Sequence, residues 1–214
     1  KTIDEGGDTH SFVFEVPKNL SWEAGQHGIF TIPKRRVEGR KWRAFSVASS
    51  EKEGVIRIAT HICDEPSDFK KKLLELVPGD TINMRGPFGE FHVVKTKHAI
   101  GIAGGIGVTP LRAIAYEIAN DIITDVTLDL IYAGKNGRYT FQNDWTEFEK
   151  HSKINVYYVD TADEVNDALD SKAQTFKNHA SYYISGSPGM ARALHNRLKS
   201  QGVTKIISDP FEGY

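Results

Sequence analysis

Apolar and polar residues alternate along the first part of the chain, and longer apolar runs replace them in the second. Ser11-Phe12-Val13-Phe14-Glu15-Val16 alternates residue by residue, as do Val55-Ile56-Arg57-Ile58-Ala59-Thr60 and Thr81-Ile82-Asn83-Met84-Arg85. A period of two puts one face of each strand on a core and the other in water. Short strands between Gly and Pro turns predict a small antiparallel barrel for residues 1–97. One helix interrupts it. The helix starts after Ser67, a good N-cap residue, carries Phe69, Leu73, Leu74 and Leu76 along one side, and stops at Pro78-Gly79.

From residue 98 onward the strands look buried on both faces: 100–103, 128–132, 156–159, 182–185 and 205–208, with helical stretches between them. This βα rhythm predicts a parallel sheet, so the second domain is placed at 98–214. In its last crossover Ser187 fits an N-cap and Pro188 the first helical position, followed by the apolar series Met190, Ala193, Leu194 and Leu198.

Composition narrows the function classes. The chain has 214 residues, 39% hydrophobic and 26% charged, which allows two modest cores. A net charge of -1, with no run of about 18 apolar residues, predicts neither nucleic-acid binding nor a membrane span within this stretch. The single cysteine, Cys63, excludes an internal disulfide or a multi-cysteine cluster supplied by this stretch alone, and is read as a small buried residue. None of the eight histidines has metal-ligand spacing, so no metal site is predicted. The start at Lys1 without a signal-peptide pattern leads us to expect an excised portion of a longer chain.

Candidate chemistry begins at Gly104-Gly105-Ile106-Gly107-Val108-Thr109-Pro110, between an apolar strand and an apolar periodic stretch. Glycines allow close approach of a ligand, Thr109 is expected as N-cap and Pro110 as the first helical residue, and the free N–H groups of such a helix start suit a phosphate. The spacing differs from the G-x-G-x-x-G of the common dinucleotide fingerprint. Upstream lies the strand Arg43-Ala44-Phe45-Ser46-Val47-Ala48, with Arg43, Phe45 and Val47 expected on one face and Ala44, Ser46 and Ala48 on the other. A guanidinium can clasp a diphosphate and a serine can hydrogen-bond a heteroaromatic nitrogen.

Taken together, the R-A-F-S strand and the G-G-x-G-x-T-P turn resemble the ferredoxin-NADP reductase superfamily. The resemblance continues in order through Ala24-Gly25-Gln26-His27, Pro66-Ser67-Asp68-Phe69, Gly86-Pro87-Phe88-Gly89-Glu90-Phe91, Gly186-Ser187-Pro188-Gly189-Met190 and the tail Asp209-Pro210-Phe211-Glu212-Gly213-Tyr214. It implies a flavin-binding antiparallel β-barrel followed by a parallel-sheet nucleotide-binding domain, with FAD as cofactor, FMN as second choice, and NADPH or NADH as substrate. Arg43 would then pair with the flavin diphosphate, Ala44 and Phe45 would belong to the flavin strand, and Ser46 would bond near the flavin N5. Thr60, His61 and Ile62 would line the flavin, and Ser67 would meet its pyrophosphate.

The resemblance further implies that Gly104, Gly105, Gly107, Thr109 and Pro110 face the nucleotide diphosphate, with Gly186, Ser187, Pro188 and Met190 at the nicotinamide ribose. Many relatives carry a cysteine where this chain has Ser185. Phe211 would stack on the flavin, Tyr214 would reach toward the adenine side, and Asp209 is the candidate proton donor. Ser46, Asp209 and Phe211 are therefore the expected catalytic group. With no acid at the tip of the second strand, Lys135 and Arg138 point to the extra phosphate of NADPH, with Tyr139 as a cover for adenine. The basic stretch Lys34 to Lys41 is expected as a loop or as a dock for an acidic electron carrier.

The function expected from this resemblance is a cytoplasmic flavin-dependent reductase passing electrons from NAD(P)H to an acceptor such as ferredoxin, flavodoxin, an iron chelate or a haem domain. Two alternatives stand beside it. One is the dehydrogenase portion of a larger membrane reductase, with an N-terminal membrane portion absent from this stretch. The other is a non-catalytic flavin relay subunit.

Overall fold

The computed structural model describes residues 1–210. Its first half holds β1 (Thr2–Asp4), β2 (Thr9–Glu15), β3 (His27–Thr31), β4 (Trp42–Ser46), β5 (Val55–His61), α1 (Asp68–Leu74) and β6 (Asn83–Phe88). These strands form two three-stranded antiparallel sheets, ordered β1-β2-β5 and β4-β3-β6. Past the end of β4, the Ala48 N–H donates to the Arg57 carbonyl at 2.7 Å, which joins the sheets along one side of the barrel. Alternation works as expected: Phe12 and Ile58 are cross-strand partners and both point into a core shared with Phe30, Phe45, Phe69 and Leu73.

The chain after β4 departs from the expected alternation. Phe45 through Ser50 are buried without interruption, because this segment runs between the barrel and the second half. Leu74, expected on the inner side of α1, is instead partly exposed.

The second half holds β7 (His98–Gly104), α2 (Thr109–Ala119), β8 (Thr127–Ala133), α3 (Gln142–Phe148), β9 (Ile154–Val159), α4 (Ala162–Phe176), β10 (Ser181–Gly186), α5 (Pro188–Ser200) and β11 (Ile206–Pro210). All its strand pairs are parallel, in the order β11-β10-β7-β8-β9. Apolar residues cover both faces, as a sheet sandwiched by helices requires. Leu111, Ile114 and Ile118 of α2 pack one face and Val165, Leu169, Leu194 and Leu198 of α4 and α5 the other. Each such side chain contributes about 1.5–3 kcal/mol of burial. The α2 cluster also takes in Ala24, Ala48, Ala59 and Phe91 from the barrel half, so apolar packing is continuous across the join.

Candidate functional site

β7 ends at Gly104 in the middle of the parallel sheet, and the chain passes through a 3-10 turn, Gly105–Val108, before entering α2. This alters two expectations. Thr109 is not an N-cap: it is the first residue of α2, Pro110 is the second, and the Thr109 hydroxyl donates to the Ile106 carbonyl at 3.0 Å. The helical winding begins one turn earlier than the Thr-Pro pair suggested. The glycines also have separate reasons. Gly105 has φ of 51°, the left-handed region that glycine enters without penalty. A Cβ on Gly107 would run into the Ser185 carbonyl oxygen, so this glycine lets the turn press against the end of β10 rather than against a ligand.

The facing rim comes from the barrel. Ser46 closes β4, and its hydroxyl donates to the Asp209 carboxylate at 3.2 Å. The β10–β11 register sets Asp209 beside Ser185, which carries this acid from the far end of the sequence to the barrel. Burial holds the Asp209 carboxyl above the usual carboxylate range, against the opposing pull of His27 and the Ser46 hydrogen bond. His61, at the end of β5, shares a 2.8 Å hydrogen bond with the Thr9 hydroxyl. Burial and the neighbouring Lys70 ammonium lower its pKa, which favours the neutral ring. The two rims meet here: a Cβ on Gly105 would stand 3.6 Å from His61 Nε2.

A cleft of about 350 Å³ lies between these rims. Phe45, Ser46, Ala59, Thr60, His61 and Lys70 line it from the barrel, and Gly104, Gly105, Ile106, Thr109 and Gly186 to Pro188 line it from the other half. It sits beyond the carboxyl ends of parallel strands, where open α/β sheets bind ligands. Lys70 was not foreseen. It follows Phe69, which anchors α1 in the core, so it emerges at the mouth of the cleft. The run of three lysines at 70–72 gave no sign of which one would face inward.

The charge on the barrel rim tests the fit of an anionic dinucleotide. The Lys70 ammonium donates to the His61 carbonyl at 2.7 Å, and the Arg43 guanidinium donates to the carbonyls of Arg40 and Trp42 at 2.9 and 2.8 Å. Among the described residues neither has a carboxylate partner, and burial lowers the pKa of both. Ser67 precedes α1 with a buried hydroxyl that makes no hydrogen bond among the described residues. Cations without acids and a hydroxyl without an acceptor fit the diphosphate of FAD.

Other expected residues lie around the cleft or away from it. Arg43 rests over the Phe69 ring at 5.5 Å and does not line the cleft. Ala44 sits in the ladder opposite Ile29, and the Ile62 N–H donates to the Asp8 carbonyl at 2.6 Å. Ser187 caps α5 by accepting from the Met190 N–H, and the Met190 sulfur packs on Gly104. Ser185 is fully buried, with no hydrogen-bond partner for its hydroxyl among the described residues. Cys63 is exposed, contrary to the expected burial, because the chain has left β5 and runs over the surface. Phe211 and Tyr214 lie outside the described residues.

Lys135 and Arg138 bridge one another in the loop after β8, outside the cleft, and Arg138 leans toward Gly7. The loop itself carries no acid, but the fold brings one to it. Asp160, just past β9, accepts from the Gly137 N–H at 3.3 Å and from the Tyr139 hydroxyl at 3.2 Å.

Comparison with known proteins places this geometry. The "Oxidoreductase FAD-binding domain" family matches residues 1–93 and the "Oxidoreductase NAD-binding domain" family residues 102–196. One subunit of the Na(+)-translocating NADH-quinone reductase of Actinobacillus pleuropneumoniae is 26% identical across 94% of this chain, and its counterpart in Mannheimia succiniciproducens 27% across 94%. The chain spans 56% of the length of either relative. Among solved structures, a Plasmodium falciparum ferredoxin-NADP+ reductase superposes with a TM-score of 0.79 at 18% identity, covering 95% of this chain and 88% of that one. The cytochrome b5 reductase domain of Ulva prolifera nitrate reductase gives 0.78 at 19%, covering 98% and 94%.

Proposed function

Because the chain belongs to the ferredoxin-NADP reductase superfamily and is an NAD(P)H-dependent flavoprotein oxidoreductase, we propose that it draws a hydride from the nicotinamide into FAD held by the barrel and passes the electrons to a separate acceptor. The observation that carries this reading is that Ser46 and the turn at Gly104 and Gly105 open onto the same cleft. FAD, when bound, supplies two-electron acceptance and one-electron release.

The residues serve mainly to position. In this reading residues 1–97 hold FAD and residues 98–214 the nucleotide. Lys70, Arg43 and Ser67 supply the cationic and hydroxyl partners of the flavin diphosphate, and Phe45 backs the flavin strand. The Ser46 hydroxyl orients the reacting edge of the ring and connects it to Asp209, whose carboxyl retains its proton to higher pH than an exposed aspartate would. The backbone at Gly105 admits the nucleotide with no side chain of its own in the way, and Met190 packs on Gly104 and Gly186 beside it. Phe211 remains the proposed stacking partner and Tyr214 its companion on the adenine side.

For nucleotide choice the acid brought to the loop matters most. The Asp160 carboxylate beside Gly137 and Tyr139 suits ribose hydroxyls and repels a further phosphate, so NADH is the proposed substrate in preference to NADPH. The similarity to subunits of a NADH-quinone reductase supports a second reading, in which this chain is the dehydrogenase portion of a larger membrane reductase. No helix among the described residues is long and apolar enough to cross a membrane.

The test is anaerobic addition of NADH, and separately NADPH, to the FAD-loaded protein. Rapid bleaching of the flavin absorbance, faster with NADH, is expected. An unbleached flavin with both nucleotides would sink the reductase reading in favour of a relay subunit. A screen of acceptors after bleaching then identifies the class that reoxidises the flavin.

A further inference from the structure

Beside the cleft, but sharing none of its lining, two arginines cross the join between the halves in opposite directions. Arg57 on β5 of the barrel donates to Asp144 of α3 at 2.9 Å. Arg112 on α2 reaches back to the barrel, with its Nη1 and Nη2 on the two oxygens of Glu53 at 2.9 and 3.0 Å and Nη1 on the Ala48 carbonyl at 2.8 Å. Its Nε donates to the same Asp144 oxygen at 2.6 Å. Arg57 is further tied to Glu5 and, through Nε at 3.2 Å, to the Ser11 hydroxyl. Both guanidiniums lie over the ring of Phe141, at 4.6 and 5.6 Å.

We propose that Arg57, Asp144, Arg112 and Glu53 form a joint that fixes the angle between the two halves, and are thereby positioning residues for hydride transfer. Contacts between domains of one chain ordinarily permit relative motion. The apolar part of this join takes Ala24, Ala48, Ala59 and Phe91 from the barrel half; Phe91 meets the Tyr183 ring edge-on, and the three alanines fill space without specifying an angle. Charge-assisted hydrogen bonds are directional, and a bidentate Arg–carboxylate pair fixes a plane as well as a distance. Arg112 is 3% exposed, so water does not compete for its bonds. Each strut continues into the cleft wall: Arg57 is on the strand that supplies Ala59, Thr60 and His61, Ala48 is two residues beyond Ser46, and Arg112 is one helical turn beyond Thr109.

A joint of this kind matters because hydride transfer needs the reacting atoms at about 3–3.5 Å, and a misplacement of about 1 Å can cost on the order of a hundredfold in rate. The inference rests on the reductase reading above, and the experiment separates the two. Asp144→Asn and Glu53→Gln keep size and shape while weakening the struts; Arg112 is too buried for its replacement to serve as the main probe. In FAD-loaded protein, stopped-flow reduction is expected to show about a tenfold lower limiting rate for the double variant, with FAD content and the half-saturating NADH concentration close to those of the parent. The long-wavelength absorbance of stacked nicotinamide and flavin should weaken in parallel.

Spin labels on Lys18→Cys of the barrel and Ser171→Cys of α4, in a Cys63→Ser background, report the joint without turnover. Their distance distribution is expected to broaden when Asp144→Asn and Glu53→Gln are introduced. An unchanged distribution, or a variant that loses melting temperature while keeping the parental limiting rate, overturns the proposal. Broadening in a protein whose parent is not bleached by either nucleotide upholds the joint and removes only the reductase reading.

Discussion

The two walls of the cleft are made of different material. The barrel wall presents side chains: an aromatic at 45, hydroxyls at 46 and 60, an imidazole at 61 and an ammonium at 70. The opposite wall carries no charged side chain, and sets Gly104, Gly105 and Gly186 among Ile106, Thr109, Ser187 and Pro188 at the starts of two helices. A wall of charged and hydrogen-bonding side chains can hold a resident group tightly. A wall of glycines and uncharged residues at helix starts offers N–H groups and room, which suits a substrate that must arrive and leave.

The sharpest way to break the contrast is Gly107→Ala. Its Cβ would meet the β10 backbone, which cannot yield as a flexible side chain could, so overpacking of about 2–3 kcal/mol is expected. A fall in Tm of about 4–10 °C should accompany loss of nucleotide-driven bleaching while FAD content persists. Gly105→Ala serves as the comparison, since only His61 lies near and backbone strain of about 1 kcal/mol is the expected cost. If both variants behave alike, the backbone wall is not set by packing on β10.

On the side-chain wall, Ser46→Ala removes the hydroxyl bonded to Asp209. The limiting rate of flavin reduction is expected to fall about tenfold to a hundredfold, with the half-saturating NADH concentration little changed. A parental rate would take Ser46 out of the reacting group. Lys70→Ala should weaken FAD retention by about tenfold, measured by flavin released on dilution, and leave the reduction rate of loaded protein alone. Equal losses in retention and rate would place Lys70 with the nucleotide instead.

The smallest expected effect lies at the join. Glu117 of α2 accepts from the Ser50 hydroxyl at 2.7 Å, and burial raises its pKa above the ordinary value. An acid whose folded pKa is raised contributes stability when protonated and loses it as pH rises through that folded value. Glu117→Gln should therefore raise Tm by about 1–2 °C at pH 8, solvent screening keeping the effect small, with the gain vanishing near pH 4. A gain at both pH values would point to packing rather than charge.

The order of elements was written along the chain. Alternation in 11–16 and 55–60 marked β2 and β5, and the apolar strands from 100 onward marked the parallel sheet, because strand period and burial are local consequences of side-chain type. The local positions of Ser46 and Gly104 at strand ends and of Ser187 at a helix cap were also readable, since their neighbours in sequence supply the turn or cap. Thr109 misled because a 3-10 turn and a helix start share the same sequence signals.

What only the tertiary structure decided is which distant groups meet. Asp209 touches Ser46 through the β10–β11 register, Asp160 reaches the loop after β8 from a neighbouring strand, and Arg57 and Arg112 find Asp144 and Glu53 across the join. A charged residue in a sequence carries no mark of its partner, because pairing depends on where the chain folds it and on how much water is excluded there.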